Sequence, residues 1–150
     1  MSTTEERLRD NVKRDELINE CCGNNKSAKE YIYLLCTALR VWDDVYDEDY
    51  PVTKDDITNT YKILFISLPS NKFFKENHDL LFGQHLVLYN QWIASNRWLN
   101  GNKLEQMYAH FYKEGFNEIA PLVAFLTQGE AKMEEVSLKL RESFKSEIGD

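Results

Sequence analysis

The seven positions Asp43-Asp44-Val45-Tyr46-Asp47-Glu48-Asp49 hold four aspartates and one glutamate. Carboxylates this dense repel one another, so something must offset their charge. A divalent cation, a cationic partner, helix N-termini, or water and salt would each serve. If a helix persists through residue 47, Asp43, Asp44 and Asp47 fall on neighbouring positions of one face. Hard cations, Mg2+ or Mn2+ above all, take oxygen ligands, and water and phosphate oxygens complete their shell. A metal held this way would neutralise a phosphorylated small molecule or nucleotide. Glu114 and Glu118 form a second acidic pair at helical spacing, with His110 one turn earlier. Folded against the first helix, that pair would complete the metal site. The competing reading is an ordinary helix end with a turn at Pro51. There Asp47 and Asp49 are solvated or capping, and Asp55 and Asp56 favour the start of the next helix. The acidic patch then faces water or a protein partner, and Glu114 and Glu118 are a solvated helix face beside Lys113.

Other polar groups are candidates for ligand contact. Arg40 stands one turn before Asp44 and reads first as its ion-pair partner. Arg40 and Arg97 also offer guanidinium groups to a phosphate. His85 lies on an apolar stripe between Leu81 and Leu88, the position of a hydrogen-bonded core histidine; with Arg40 and Asn96 it completes the ligand-binding candidates. Trp42 and Trp92 fall on apolar stripes and read as packing, whereas Trp98 ends a helix and reads as exposed. No nucleophile elbow, phosphate-binding glycine loop or Ser/His/Asp spacing occurs, so no catalytic residue is assigned.

These residues need elements to hold them. The chain has 150 residues, 43% of them apolar and 13% aromatic, enough for a packed core. Six glycines and three prolines leave little punctuation for many short strands. The net charge of −7 argues against direct nucleic-acid binding, which needs clustered Lys and Arg. No apolar run approaches the roughly 18 residues that would span a bilayer, and no charged-then-apolar leader opens the chain. Cys21, Cys22 and Cys36 are odd in number and lack a CxxC pair, which fits reduced thiols. The expected location is therefore a cytoplasm, or a virus particle assembled in one.

The apolar spacing predicts an all-α, single-domain bundle of five to six helices. Residues 1–25 read as a peripheral N-terminal helix or arm, ended by Gly23-Asn24-Asn25. Ser27 to Glu30 has the form of a capping box for a helix that reaches about Tyr46, with Tyr31, Leu34, Leu35, Ala38, Trp42 and Val45 on its packed side. Thr53 to Asp56 announces a third helix carrying Ile57, Tyr61, Leu64, Phe65 and Leu68. A fourth covers about 79–99. A fifth begins near Lys103 with Leu104, Tyr108, Phe111, Ile119, Leu122 and Leu126, kinked or split at Pro121. A last helix, about 130–147, offers Met133, Val136, Leu140 and Phe144.

Two resemblances follow from these motifs. Asp43-Asp44-Val45-Tyr46-Asp47 resembles the DDxxD metal motif of class I isoprenoid synthases, which use a second motif and a longer chain than this one. The stretch from Val41 to Val52, of the form W-D-D-φ-x-D-x-D-x-P-V, is followed by a helix ending Leu68-Pro69-Ser70-Asn71. Together they resemble a group of small helical proteins of tailed bacteriophages. Gln91 to Asn96 and Lys113 to Glu118 sit where that group has similar residues; Gln128-Gly129 replaces its pair of glycines. The resemblance implies a phage origin and a helical fold, and no activity. Three functions are consistent with the sequence. One is Mg2+- or Mn2+-assisted binding of a phosphorylated small molecule, and another a virion or assembly component that docks on other subunits, oligomers included. The third is an inhibitor of a host factor that works through the acidic surface.

Overall fold

The computed structural model describes the backbone of residues 4–148 and the side chains of residues 4–143. Among the described residues every regular element is helical. The helices fall into two compact units, the first ending at Glu76 and the second beginning at Asn77.

In the first unit, α1 (Thr4–Cys22) is charged along most of its length and buries Ile18, Cys21 and Cys22 near its end. The three cysteines are free thiols. Gly23, at φ 56°, turns the chain toward α2 (Lys26–Asp47). The cap of α2 is Asn25 and not Ser27. Asn25 Oδ1 accepts the Ala28 amide at 3.0 Å and the Ser27 hydroxyl at 3.0 Å. The shorter path from Asn25 to the third helical amide makes Ser27 a support of the cap. Tyr31, Ile32, Leu35 and Ala38 are buried as their spacing implies. Trp42 and Val45, expected on the same packed side, are 54% and 49% exposed. In its last turns α2 buries the side that carries Asp44, and Trp42 and Val45 lie roughly 100–160° around the helix from it.

α3 (Lys54–Lys62) opens on the expected capping box. Thr53 Oγ1 accepts the Asp56 amide at 3.1 Å, and Asp56 Oδ2 accepts the Thr53 amide at 2.9 Å. The helix then passes without a break through a π-helical turn, Ile63–Ser67, and ends at Leu68–Ser70. A π-turn adds one residue per hydrogen-bonded ring and shifts the buried face. Ile63 and Leu68 are buried, while Ile57, Tyr61, Leu64 and Phe65, expected on one packed side, are exposed. Buried Asn71 donates to the Ser27 carbonyl at 2.9 Å and accepts the Phe74 amide at 2.8 Å, opening α4 (Lys72–Glu76). Phe73 and Phe74 set their rings 5.6 and 6.0 Å from Tyr31, which fastens α4 to α2.

The second unit begins with α5 (His78–Trp98), paired with α6 (Lys103–Lys113) as a helical hairpin. Asn102 and Glu105 exchange the two hydrogen bonds of a second capping box. The fifth helical segment is split, as Pro121 suggests, but the split lies ahead of that proline. The chain leaves α6 at Lys113, takes a 3-10 turn (Gly115–Glu118), and resumes as α7 (Ile119–Gln128). Pro121 falls in the first turn of α7, where its missing N–H costs no helical bond. The break is at Gly115, where a Cβ would lie 3.0 Å from Gln91 Oε1 and 3.4 Å from Leu88 Cδ2. That contact presses the turn against α5. Gly129, at φ 96°, leads into α8 (Glu130–Ile148), which packs on α7 through Val136 and Leu140. Phe144 lies outside the described side chains. The described residues thus form eight helices where five to six were expected. The difference is the short α4 and the division of the fifth helix. No helix among them is long and apolar enough to cross a membrane.

Candidate anion-binding site

Arg7, Asn11 and Arg14 recur along α1 at steps of four and three, so they share a face. Thr37, Arg40, Val41 and Asp44 do the same on α2. Where these two faces meet, they line a cleft of about 280 Å³, completed by Tyr50, Pro51, Val52 and Asp56. Three guanidinium groups and two carboxylates therefore border one space.

The carboxylates are already engaged. Asp44 is 9% exposed. It accepts two hydrogen bonds from Arg7, 3.2 Å to Oδ1 and 2.9 Å to Oδ2, the bidentate fork that suits a guanidinium. Arg7 also lies over the Tyr50 ring, 4.0 Å from its centroid. The hydrogen bond that Arg7 donates to Asp44, outweighing burial, raises the Arg7 pKa, and Asp49 adds to the effect. Asp56 is held by the Thr53 amide, and that bond keeps its carboxyl below the usual carboxylate range. The expected Arg40–Asp44 hydrogen-bonded pair is thus replaced by Arg7–Asp44. Arg7 reaches Asp44 from another helix with both nitrogens, which a side chain one turn away on the same helix does less well.

The other two arginines are different. Arg40 donates to the neutral Asn11 Oδ1 at 2.5 Å. Burial lowers its pKa, and the positive charges of Arg14 and Arg7 lower it further, against smaller opposing effects of Asp44 and Asp10. Arg14 Nε is buried with no hydrogen-bond partner. Its nearest carboxylate oxygen, Asp15 Oδ1, stands at 3.7 Å, and its guanidinium lies 5.7 Å from the Tyr33 ring centre. A guanidinium destabilised in this way, by burial first and by neighbouring positive charge second, is stabilised by an anion placed beside it.

The residues singled out from the sequence are placed as follows. Asp44 is buried on the cleft, Asp43 is half-buried and Asp47 exposed. Among the described residues no three His, Cys, Asp or Glu side chains are gathered so as to hold a metal ion. Glu114 and Glu118 do not share a helical face, because α6 ends between them. Glu114 accepts from Asn117 Nδ2 at 3.1 Å, and Glu118 is paired with Arg141 at 3.3 Å. Both belong to the second unit, as do half-buried His85 and Asn96. Burial lowers the His85 pKa. Asn96 Oδ1 is buried with no hydrogen-bond partner. Of the ligand-binding candidates only Arg40 lines the cleft. Arg7, Asn11 and Arg14 were missed. Their i, i+4, i+7 spacing was readable, but a polar helical stripe is the normal face toward water and carries no signal by itself. Comparison with protein-family models, with curated proteins and with solved structures yields no match.

Proposed function

We propose that this chain binds a small phosphorylated molecule directly through the arginine cleft of its first unit. The observation that carries the reading is Arg40, a charged group on the cleft whose hydrogen-bond partner is neutral Asn11 while Arg7 and Arg14 crowd it. A phosphate seated among Arg14, Arg40 and Thr37 receives charge-assisted hydrogen bonds and relieves that crowding. The volume of about 280 Å³ lies at the small end of ligand pockets, so the phosphoryl group and a small attached body fit best. In the phage setting that the sequence resemblance implies, host nucleotides or nucleotide signals are the pool to draw on. Asp44 serves as the clamp for Arg7, and any Mg2+ or Mn2+ enters with the phosphate as its counter-ion. The role is binding; no group in the cleft is assigned to turnover.

The test is thermal melting with inorganic phosphate, pyrophosphate and nucleoside phosphates, with and without Mg2+. A ligand at about 100 times its Kd adds about 2.7 kcal/mol of stability, which reads as a rise in Tm of several degrees. Arg40→Gln should remove the rise. Mg2+ alone should give none. A rise with Mg2+ alone that Asp44→Asn abolishes would replace this reading with metal ligation by the Asp-rich segment. No response to millimolar phosphate compounds would end it.

A further inference from the structure

On α6, Leu104, Met107, Tyr108 and Phe111 recur at i, i+3, i+4 and i+7, the stripe of a helix that packs on something. The sequence reading placed three of them on a packed side. They are instead 57%, 45%, 46% and 46% exposed, while Ala109, on the side turned to α5, is fully buried. Trp98 extends the patch, with its ring 6.1 Å from that of Tyr108 and 5.9 Å from that of Tyr112. The five side chains expose roughly 500 Å² of apolar surface, toward the upper end of what a monomer's largest patch shows. With a polar rim the area nears the roughly 800 Å² per partner of a stable interface.

We infer that this face is where two copies of the chain pack, with their α6 helices antiparallel about a two-fold axis near Tyr108. The charges argue for a second copy over a foreign partner. The stripe itself carries no charged residue, so nothing in it opposes a copy of itself. Lys103 opens α6 and Glu114 follows its last residue, three turns apart along one edge of the stripe. A two-fold axis between them sets Lys103 of each copy beside Glu114 of the other, twice over. Rigid aromatic side chains at the centre with opposite charges at the ends are the usual anatomy of such a contact. The inference rests on α6 and stands apart from the arginine cleft.

Sedimentation equilibrium of the full chain across the micromolar range tests it. The expected result is a mass of two chains that falls toward one on dilution. Phe111→Glu should yield a monomer with unchanged helical circular dichroism, since the side chain is half-exposed to begin with. Lys103→Glu should weaken the dimer about tenfold, and adding Glu114→Lys to it should restore the dimer. A chain that stays monomeric throughout overturns the inference. So does a dimer that Phe111→Glu leaves intact, or one that the paired charge reversal fails to restore.

Discussion

Removing the Arg7 side chain would strand the buried Asp44 carboxylate with two hydrogen bonds missing. Hydrogen bonds to charged groups are worth about 1.5–3 kcal/mol, and this pair keeps some solvent contact, so Arg7→Ala should cost about 2 kcal/mol in urea unfolding. Asp44→Asn should cost less, because the amide still accepts one bond. The double variant should cost less than the sum, the mark of a direct pair. In the proposed ligand reading Asp44→Asn has a second consequence: it frees Arg7 and should tighten phosphate binding while lowering the baseline Tm. His85 sets a pH dependence. Burial holds its pKa below the ordinary 6.5, so the folded state takes up this proton less readily than the unfolded chain. Its contribution is complete above about pH 6.5 and is lost as the pH falls toward the folded value. His85→Gln should flatten the fall in Tm between about pH 7 and pH 5.

Elements in this chain are set by their ends more than by their middles. Thr53 with Asp56 was legible as a capping box because a hydroxyl and a carboxylate three apart have few other uses at a helix start. The Asn102–Glu105 box has the same logic, but in the sequence Asn100-Gly101-Asn102 has the form of a simple break and masks it. Gly129 joins α7 and α8 at φ 96°, a conformation that side chains with a Cβ rarely adopt. Gly129→Ala should therefore cost about 1–3 kcal/mol by denaturation, although no atom lies within 4 Å of the added methyl. The π-turn at Ile63–Ser67 is the opposite case. Hydrophobic periodicity assumes a constant pitch, and one inserted residue moved burial from Leu64 to Ile63. Deleting exposed Phe65 should let the helix run at regular pitch with Ile63 and Leu68 both still buried. Its cost in urea should be well below that of Leu68→Ala, which empties a packed position at about 2–5 kcal/mol.

At the scale of the molecule, the arginine cleft belongs entirely to the first unit, from Arg7 to Asp56. If that unit holds the ligand by itself, residues 1–76 expressed alone should show helical circular dichroism and keep the phosphate-dependent rise in Tm. Failure of the fragment to bind while the full chain binds would show that the site draws on residues after Glu76. The net charge of −7 bears on this scale too. A chain that repels anions overall must gather its arginines locally to hold one, and α1 and α2 do so with three.

The sequence by itself determined the helical class, the positions of most turns, the capping box of α3 and the peculiarity of the Asp-rich segment. Those are consequences of local spacing, where side chains a few positions apart act on the same backbone. It also marked Asp44, together with Asp43 and Asp47, as a residue of consequence, because carboxylates this dense require something to offset their charge. Only the tertiary structure decided which partner. Arg7 stands 37 positions away, and a contact between separate helices leaves no trace in the period of either. That contact sets Asp44, and none of the other acids expected to act with it, on the rim of a cleft that three arginines share. In the same way the break at Gly115 separated Glu114 from Glu118, since the close approach of α5, a fact of packing, ended their helix there.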